Sequence, residues 1–486
     1  MRVTLRRQLI LVVVLLTLTV LWYTNPRLIG ADRLSAFSSE HGLIPQFPHL
    51  RSSPIDPHVL SIRRFWSPWA TTIQDSAPQV DPVNLVYSAN IIKPVNDGPR
   101  EIHQNLVSIS DEDEASLRAA HAKLRTVLDA YDHLEDAESH FSGTGVVTVA
   151  GGEYFGPFLA GLHMLRSTGS SLPVEAFLAD SSEYEAALCE KVLPSLNAKC
   201  KILADFLQAS NSTATKFKVE HYQLKSLAIL FSSFTHTLFL DSDSIPLLDP
   251  AVLFSTEAYT STGFIGWPDF WTATESPIFY SIANMTFPSD LPATSSEAGQ
   301  LLVDKSRHLK TLLLAAYYNI YGPDWYYPLL SQGALGQGDK NTFETAAIVL
   351  GLPYHRVRTP VATVGRMDGR EVKGSGMIQH HPNPPSRGEG KDSAPMPAFL
   401  HANTPKMNAG HLVDEGDLQD THTAKHLRLW NSKEEAEKMF GEDLERRVWK
   451  EVVEVGCAHA KEVREWKDRK RLCERLHEHV KAVFGD

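Results

Sequence analysis

The stretch Thr237-Leu238-Phe239-Leu240-Asp241-Ser242-Asp243-Ser244-Ile245-Pro246 decides the fold. Its first four residues read as a buried strand, and the strand runs directly into two carboxylates spaced i, i+2, which an extended chain points the same way. Asp241 and Asp243 are therefore expected at the carboxyl edge of a sheet, where open α/β folds bind ligands. Carboxylate oxygens suit Mg²⁺ or Mn²⁺, ions that bind through one or two acids together with substrate phosphates. Asp-x-Asp also arises by chance, and acids that follow a strand commonly cap a turn. The surrounding chain has to decide between the two.

Upstream, Val146 to Ala150 is an apolar strand run ended by Gly151-Gly152, and Phe158, Leu159, Leu162 and Leu165 follow at helical spacing with Pro157 at a first helical turn. The unit repeats, with a strand over 173–178, a helix over 183–193, a short strand over 201–203 and a helix over 221–234. Strands alternating with helices predict a mainly parallel sheet covered on both faces, the architecture of nucleotide-binding proteins. The glycine pair lets backbone approach a nucleotide, and a plain tight turn needs it equally.

Downstream, residues 262–266 read as a further strand that delivers Trp267-Pro268-Asp269-Phe270-Trp271. Aromatic faces on either side of a carboxylate suit a sugar, and they also suit plain packing. Glu297-Ala298-Gly299-Gln300 and Gly338-Asp339-Lys340-Asn341-Thr342-Phe343 each read as the opening of a helix. Ala398-Phe399-Leu400 is a short strand ending in His401, a reasonable Mn²⁺ ligand, and Lys406 five residues on is placed to neutralise phosphate.

The 486 residues carry a net charge of -11, which gives no reason to expect nucleic acid. Arg2, Arg6 and Arg7 precede an apolar run with no small-x-small cleavage site after it, so residues 9–23 read as an uncleaved signal anchor behind a cytosolic tail, 1–8. Its helix would cover roughly 22 Å, short for a bilayer and suited to early secretory membranes. Residues 24–140, rich in Pro, Ser and charge, read as a stem with a flanking helical part. Residues 141–410 form the working domain. Residues 411–486, with nearly balanced acids and bases, read as a solvated helical extension without chemistry. Four cysteines permit two disulfides in three connectivities, and the expectation is the local pairs Cys189 with Cys200 and Cys457 with Cys473. No Cys-x-x-Cys suggests zinc. Sequons begin at Asn211 and Asn284.

In order, Gly151-Gly152, Leu172-Pro173-Val174-Glu175, Lys225 to Leu230, Leu240-Asp241-Ser242-Asp243, Trp267 to Trp271, Glu297 to Gln300, Gly338-Asp339-Lys340 and His401 to Lys406 together resemble the fungal MNN-type α-mannosyltransferases. The likeness covers about residues 145 to 410. It implies a GT-A fold in a type II Golgi membrane protein, GDP-mannose as donor, Mn²⁺, a mannose-terminated glycan acceptor and retention of configuration, with Golgi complex partners open. By the resemblance, Asp241, Asp243 and His401 hold the ion, and Lys225 and Lys406 lie by the diphosphate near Gly151 and Gly152. Asp269, Glu297 and Asp339 are the candidate carboxylates at the anomeric carbon, and Trp267, Trp271, Gln300 and Lys340 shape the sugar site. The chain departs from the family pattern at Ser242, Ser244, Ala298, Asn341 and His380-His381, and the last two of these bear on acceptor choice. Linkage, α-1,2 or α-1,3, stays open. Rival expectations are a lumenal mannan-binding subunit without catalysis and a haloacid-dehalogenase-type phosphatase, whose nucleophile also sits in Asp-x-Asp after a strand.

Overall fold

The computed structural model describes residues 55–89, 98–208, 217, 219–368, 371–383, 395–414, 416–420 and 422–485. The expected signal anchor and the Asn211 sequon lie outside them. Among the described residues no helix is long and apolar enough to cross a membrane. Residues 56–486 make one compact unit.

A seven-stranded sheet occupies its centre. In chain order the elements that build it are β1 (Thr144–Val149), α3 after it (Phe155–Ser167), β2 (Val174–Leu178), β3 (Ala198–Ile202), α4 (Gln223–Phe231) and β4 (His236–Leu240), preceded by α1 (Pro57–Asp75) and α2 (Asp111–Ala130). After the short β5 (Ser244–Pro246) come β6 (Phe264–Thr272), β7 (Thr294–Asp304), α5 (Lys305–Ile320), α6 (Thr342–Leu350) and β8 (His355–Arg356). The strand order is β8-β6-β7-β4-β1-β2-β3. All neighbours run parallel except β7, which lies antiparallel between β6 and β4. The parallel half expected from the strand-helix alternation is thus present. Its strands are buried on both faces, which is why they read as continuous apolar runs.

A second sheet, order β9-β10-β11-β5, is antiparallel and uses β9 (Ala362–Asp368), β10 (Glu371–His380) and β11 (Pro397–Thr404). The chain passes from one sheet to the other between Leu240 and Ser244. That passage is the Asp-x-Asp turn.

Two expectations about organisation are corrected. The segment read as a stem belongs to the body from Asp56 onward: α1, capped by Asp56 with Pro57 in its first turn, buries Ile62, Phe65, Trp66, Trp69 and Ile73 at helical spacing. The Trp66 ring meets Phe231 of α4 edge-on at 5.1 Å. Pro68 inside the helix hid it from a sequence reading. The carboxyl-terminal residues are likewise not a free extension. Helices α7 (Leu444–Ala458) and α8 (Leu472–Phe484) bury Val448, Trp449, Val452, Leu472 and Leu476 and show their charges mainly on the outer face. Both expected disulfides, Cys189–Cys200 and Cys457–Cys473, are formed, and Asn284 of the second sequon is exposed.

The helix expected to open at Glu297 is instead the long strand β7, and helix α5 begins only at Lys305, capped by the Asp304 carboxylate. A strand flanked by partners on both sides is apolar on both faces, so its pattern cannot be separated from that of a buried helix by period alone. The expected helix at Asp339 does form, as α6. The strand expected to end at His401 runs on to Thr404.

Candidate active site

Asp241 and Asp243 do not project from an extended strand as their spacing suggested. The Asp241 N–H donates to Gly299 O at 2.8 Å, the Ser244 N–H returns to Asp241 O at 2.9 Å, and the Ala402 N–H donates to Asp243 O at 2.9 Å. The acids therefore sit on a turn pinned by β7 on one side and β11 on the other. The two pinning strands bring the remaining groups. Pairing of Leu240 with Gln300 sets Glu297 beside the turn, and pairing of His401 with Ser244 sets the imidazole there.

His401 Nε2 stands 3.1 Å from Asp243 Oδ1, and its Nδ1 stands 3.3 Å from Glu297 Oε1. Lys406 pairs with the other Asp243 oxygen. On the far side the Lys225 ammonium of α4 is buried, 3.1 Å from Asp241 Oδ2, 3.0 Å from Asp339 Oδ2 and 2.8 Å from the Ala298 carbonyl. Asp339 itself sits just ahead of α6, where its carbonyl accepts from the Thr342 N–H. Four carboxylates thus face two ammonium groups and one imidazole.

Burial would raise the Asp243 carboxyl, but His401 and then Lys406 outweigh it and hold that carboxyl well below the usual range. Burial pushes Asp241 up, Lys225 opposes it, and the Asp243 charge adds to the push. Against the cost of burial, Asp243 and then Glu297 raise the His401 imidazole well above its ordinary range, and a cation held there would displace that proton.

A divalent cation fits this donor set. One ligand atom each from Asp241, Glu297 and His401 lie within 4.8 Å of one another, and carboxylate with imidazole suits Mn²⁺. Gly299 leaves the room: a Cβ there would stand 2.6 Å from His401 Nδ1 and 2.8 Å from Glu297 Oε1. Glu297, expected near the anomeric carbon, lies within the reach of a cation held by Asp241 and His401. The Glu-x-Gly spacing was the available signal, hidden by reading the segment as a helix start.

The other expected residues divide. Gly151 and Gly152 follow β1 with φ of 117° and 51°, and a Cβ at Gly151 would collide with the Glu183 carboxylate. Tyr154, which sequence reasoning did not single out, is exposed and lies with its ring 5.9 Å from the Lys406 ammonium. The Asn408 side chain donates to Glu153 O at 3.0 Å and so ties this loop to the segment that carries Lys406. Asp269 of β6 is buried, with Lys340 Nζ donating to it at 2.6 Å, and Lys340 also donates to Leu335 O. Gln300 is fully buried beside Ser244, and its Nε2 has no hydrogen-bond partner among the described residues. Trp267 is not a sugar platform. It is fully buried, its indole N–H donates to His380 O at 2.8 Å, and its ring packs edge-on to Phe399. A strand side chain facing between two sheets packs regardless of its chemistry. Trp271, at the far end of the strand, stays partly exposed.

A mannosyltransferase family model matches residues 143–293 and 285–381, and so contains the turn, Glu297 and Asp339. The chain is 32% identical over 449 residues to α-1,2-mannosyltransferase MNN21 of Candida albicans, across 78% of this chain and 67% of that one. It is 36% identical over 308 residues to α-1,2-mannosyltransferase MNN2 of Saccharomyces cerevisiae, across 56% and 51%. It therefore spans two thirds of the first relative and about half of the second. Among solved structures, the glycosyltransferase GlyE of Streptococcus pneumoniae TIGR4 overlaps 44% of this chain and 45% of its own at 13% identity and a TM-score of 0.28. The galactosyltransferase LgtC overlaps 39% and 72% at 13% identity and a TM-score of 0.25. Overlaps so partial leave the assignment to the sequence relatives. The chain belongs to the fungal MNN-type α-mannosyltransferase family.

Proposed function

We propose that the protein is a GT-A type, type II Golgi enzyme that transfers mannose from GDP-mannose to a mannose-terminated glycan with retention of configuration, forming an α-1,2 link. The convergence of Asp241, Asp243 and His401, distant in sequence, on one acid-rich centre carries this reading. The names of the relatives support the α-1,2 linkage. Asp241, Glu297 and His401, with Asp243 orienting the imidazole, would hold Mn²⁺, which when bound supplies positive charge to the diphosphate of the departing nucleotide.

The chain's own residues do the rest. Lys225 is buried and held by three oxygens, so it presents a fixed positive charge beside Asp241. Lys406 is 43% exposed and free to swing from Asp243 to a phosphate oxygen. Lys225 joins Asp339 to the cation cluster, whereas Asp269 lies on β6 with its charge met by Lys340. With donor and product both α, the acceptor hydroxyl attacks from the face the phosphate leaves, or a carboxylate is glycosylated first.

The test incubates the full chain with GDP-mannose, Mn²⁺ and short α-mannosides. Mannose transfer is expected from the intact protein, with Asp243→Ala lowering the rate by about 10²-fold or more. Mannan binding without transfer to any mannoside would replace this reading with that of a lumenal binding subunit.

A further inference from the structure

A second group of metal-ligating side chains lies away from the active site, between α3 and α7. His163 on α3 faces Glu451 and Glu454, one turn apart on α7. Its Nδ1 is 3.9 Å from Glu451 Oε2 and 3.9 Å from Glu454 Oε1, and one ligand atom from each of the three lies within 4.8 Å of the others. His459, at the end of α7, adds an imidazole whose ring centroid is 5.9 Å from that of His163.

These groups are poorly satisfied as they stand. A separation of 3.9 Å is too long for a hydrogen bond. Glu451 is only 7% exposed, yet among the described residues it accepts no hydrogen bond and neither it nor Glu454 pairs with a lysine or arginine. The second His163 nitrogen, Nε2, is buried without a partner among the described residues. Glu451 is buried and feels the Lys450 and Arg447 charges, while exposed Glu454, one helical turn on, repels it.

We propose that His163, Glu451 and Glu454, with His459 adjacent, bind a structural Zn²⁺ that staples α7 to α3. Ligands about 2.0–2.2 Å from one zinc stand about 3.3–3.6 Å apart in a tetrahedron, so shifts of up to about 1 Å per side chain bring atoms now within 4.8 Å of one another into range. Nitrogen and carboxylate oxygen are zinc donors without any cysteine, which is why cysteine spacing gave no hint of it. The staple sits beside the Cys457–Cys473 bond that ties the same end of α7 to α8. It also anchors the helix that follows the Gly151-Gly152 loop.

The full chain is stripped with chelator, its active site is supplied with excess Mn²⁺, and Zn²⁺ is added in steps. Zinc retained after gel filtration is counted and melting is followed in parallel. About one retained zinc per chain and a raised melting temperature are expected. Glu454→Gln, at an exposed position that folding tolerates, should weaken zinc binding at least about tenfold, and His163→Ala should remove it. His401→Ala should retain it. Equal zinc content and equal thermal shift in the intact protein and both Glu454→Gln and His163→Ala would overturn the site, as would loss of zinc in His401→Ala alone.

Discussion

Replacing Lys225 by Met removes the one cation that Asp241 and Asp339 share. The side chain is buried, and its ammonium is 3.1 Å from one carboxylate, 3.0 Å from the other and 2.8 Å from the Ala298 carbonyl. Methionine matches its length and keeps its packing over the Phe239 ring, so the loss is almost wholly electrostatic. Removing one partner of a buried pair costs about 3–5 kcal/mol, here because the Asp339 charge left behind is shut off from water and has lost its counter-ion. A folding unit of this size has an unfolding entropy of about 0.9 kcal/mol per degree, so the melting temperature should fall by about 3–6 °C. Asp339→Asn in the Lys225→Met background should return roughly half of the loss, since it discharges one of the two stranded acids. The assay is thermal and urea unfolding of the four proteins of this cycle, in chelator and again in Mn²⁺. Mn²⁺ should stabilise Lys225→Met more than the intact protein, because the ion supplies the charge the lysine supplied. A single variant that loses less than about 1 kcal/mol, or a double variant no better than the single, would refute the shared-cation argument.

The two tryptophans of β6 should separate by readout. Trp267→Ala, cut from between the sheets, should cost about 3–5 kcal/mol in unfolding, whereas Trp271→Ala should leave melting nearly unchanged and raise KM for the mannoside several-fold. His121 on α2 is buried with its ring stacked on Tyr318, and burial, then the Arg125 charge, lowers its pKa to about 4. The fold therefore holds it neutral: its contribution is present above about pH 6.5 and is lost as the pH falls toward 4, about 3 kcal/mol in all. A pH series of urea midpoints should show that slope in the intact protein and lack it in His121→Gln. Removing the Cys189–Cys200 bond with a Cys189→Ala, Cys200→Ala pair should cost about 3 kcal/mol by loop-closure entropy, read as a lower urea midpoint.

Much of the site is legible in the chain itself. Asp241 and Asp243 mark a strand end, and His401 and Lys406 follow a second strand, so alternation of apolar runs with polar ends was enough to nominate them, whereas Lys225, on a helix one element earlier, was implied by the family resemblance. Glu297 was expected on a helix start, because β7 is buried on both faces and its run of Leu301, Leu302 and Val303 carries no period of two. Trp267 was nominated for the wrong role, since an indole between two sheets and an indole at a rim are the same letter.

Local pattern alone determined the parallel half of the sheet, the strand-terminal acids, the α6 helix after Asp339 and both short-range disulfides, since each depends on residues within a few turns of chain. Tertiary structure decided the rest. Pairing β7 antiparallel between β4 and β6 put Glu297 beside Asp241, and pairing β11 with β5 put His401 beside Asp243, contacts that join residues 56 and 158 positions apart. Which strands become neighbours depends on how apolar faces from the whole chain are buried together, and no short window of sequence contains that information.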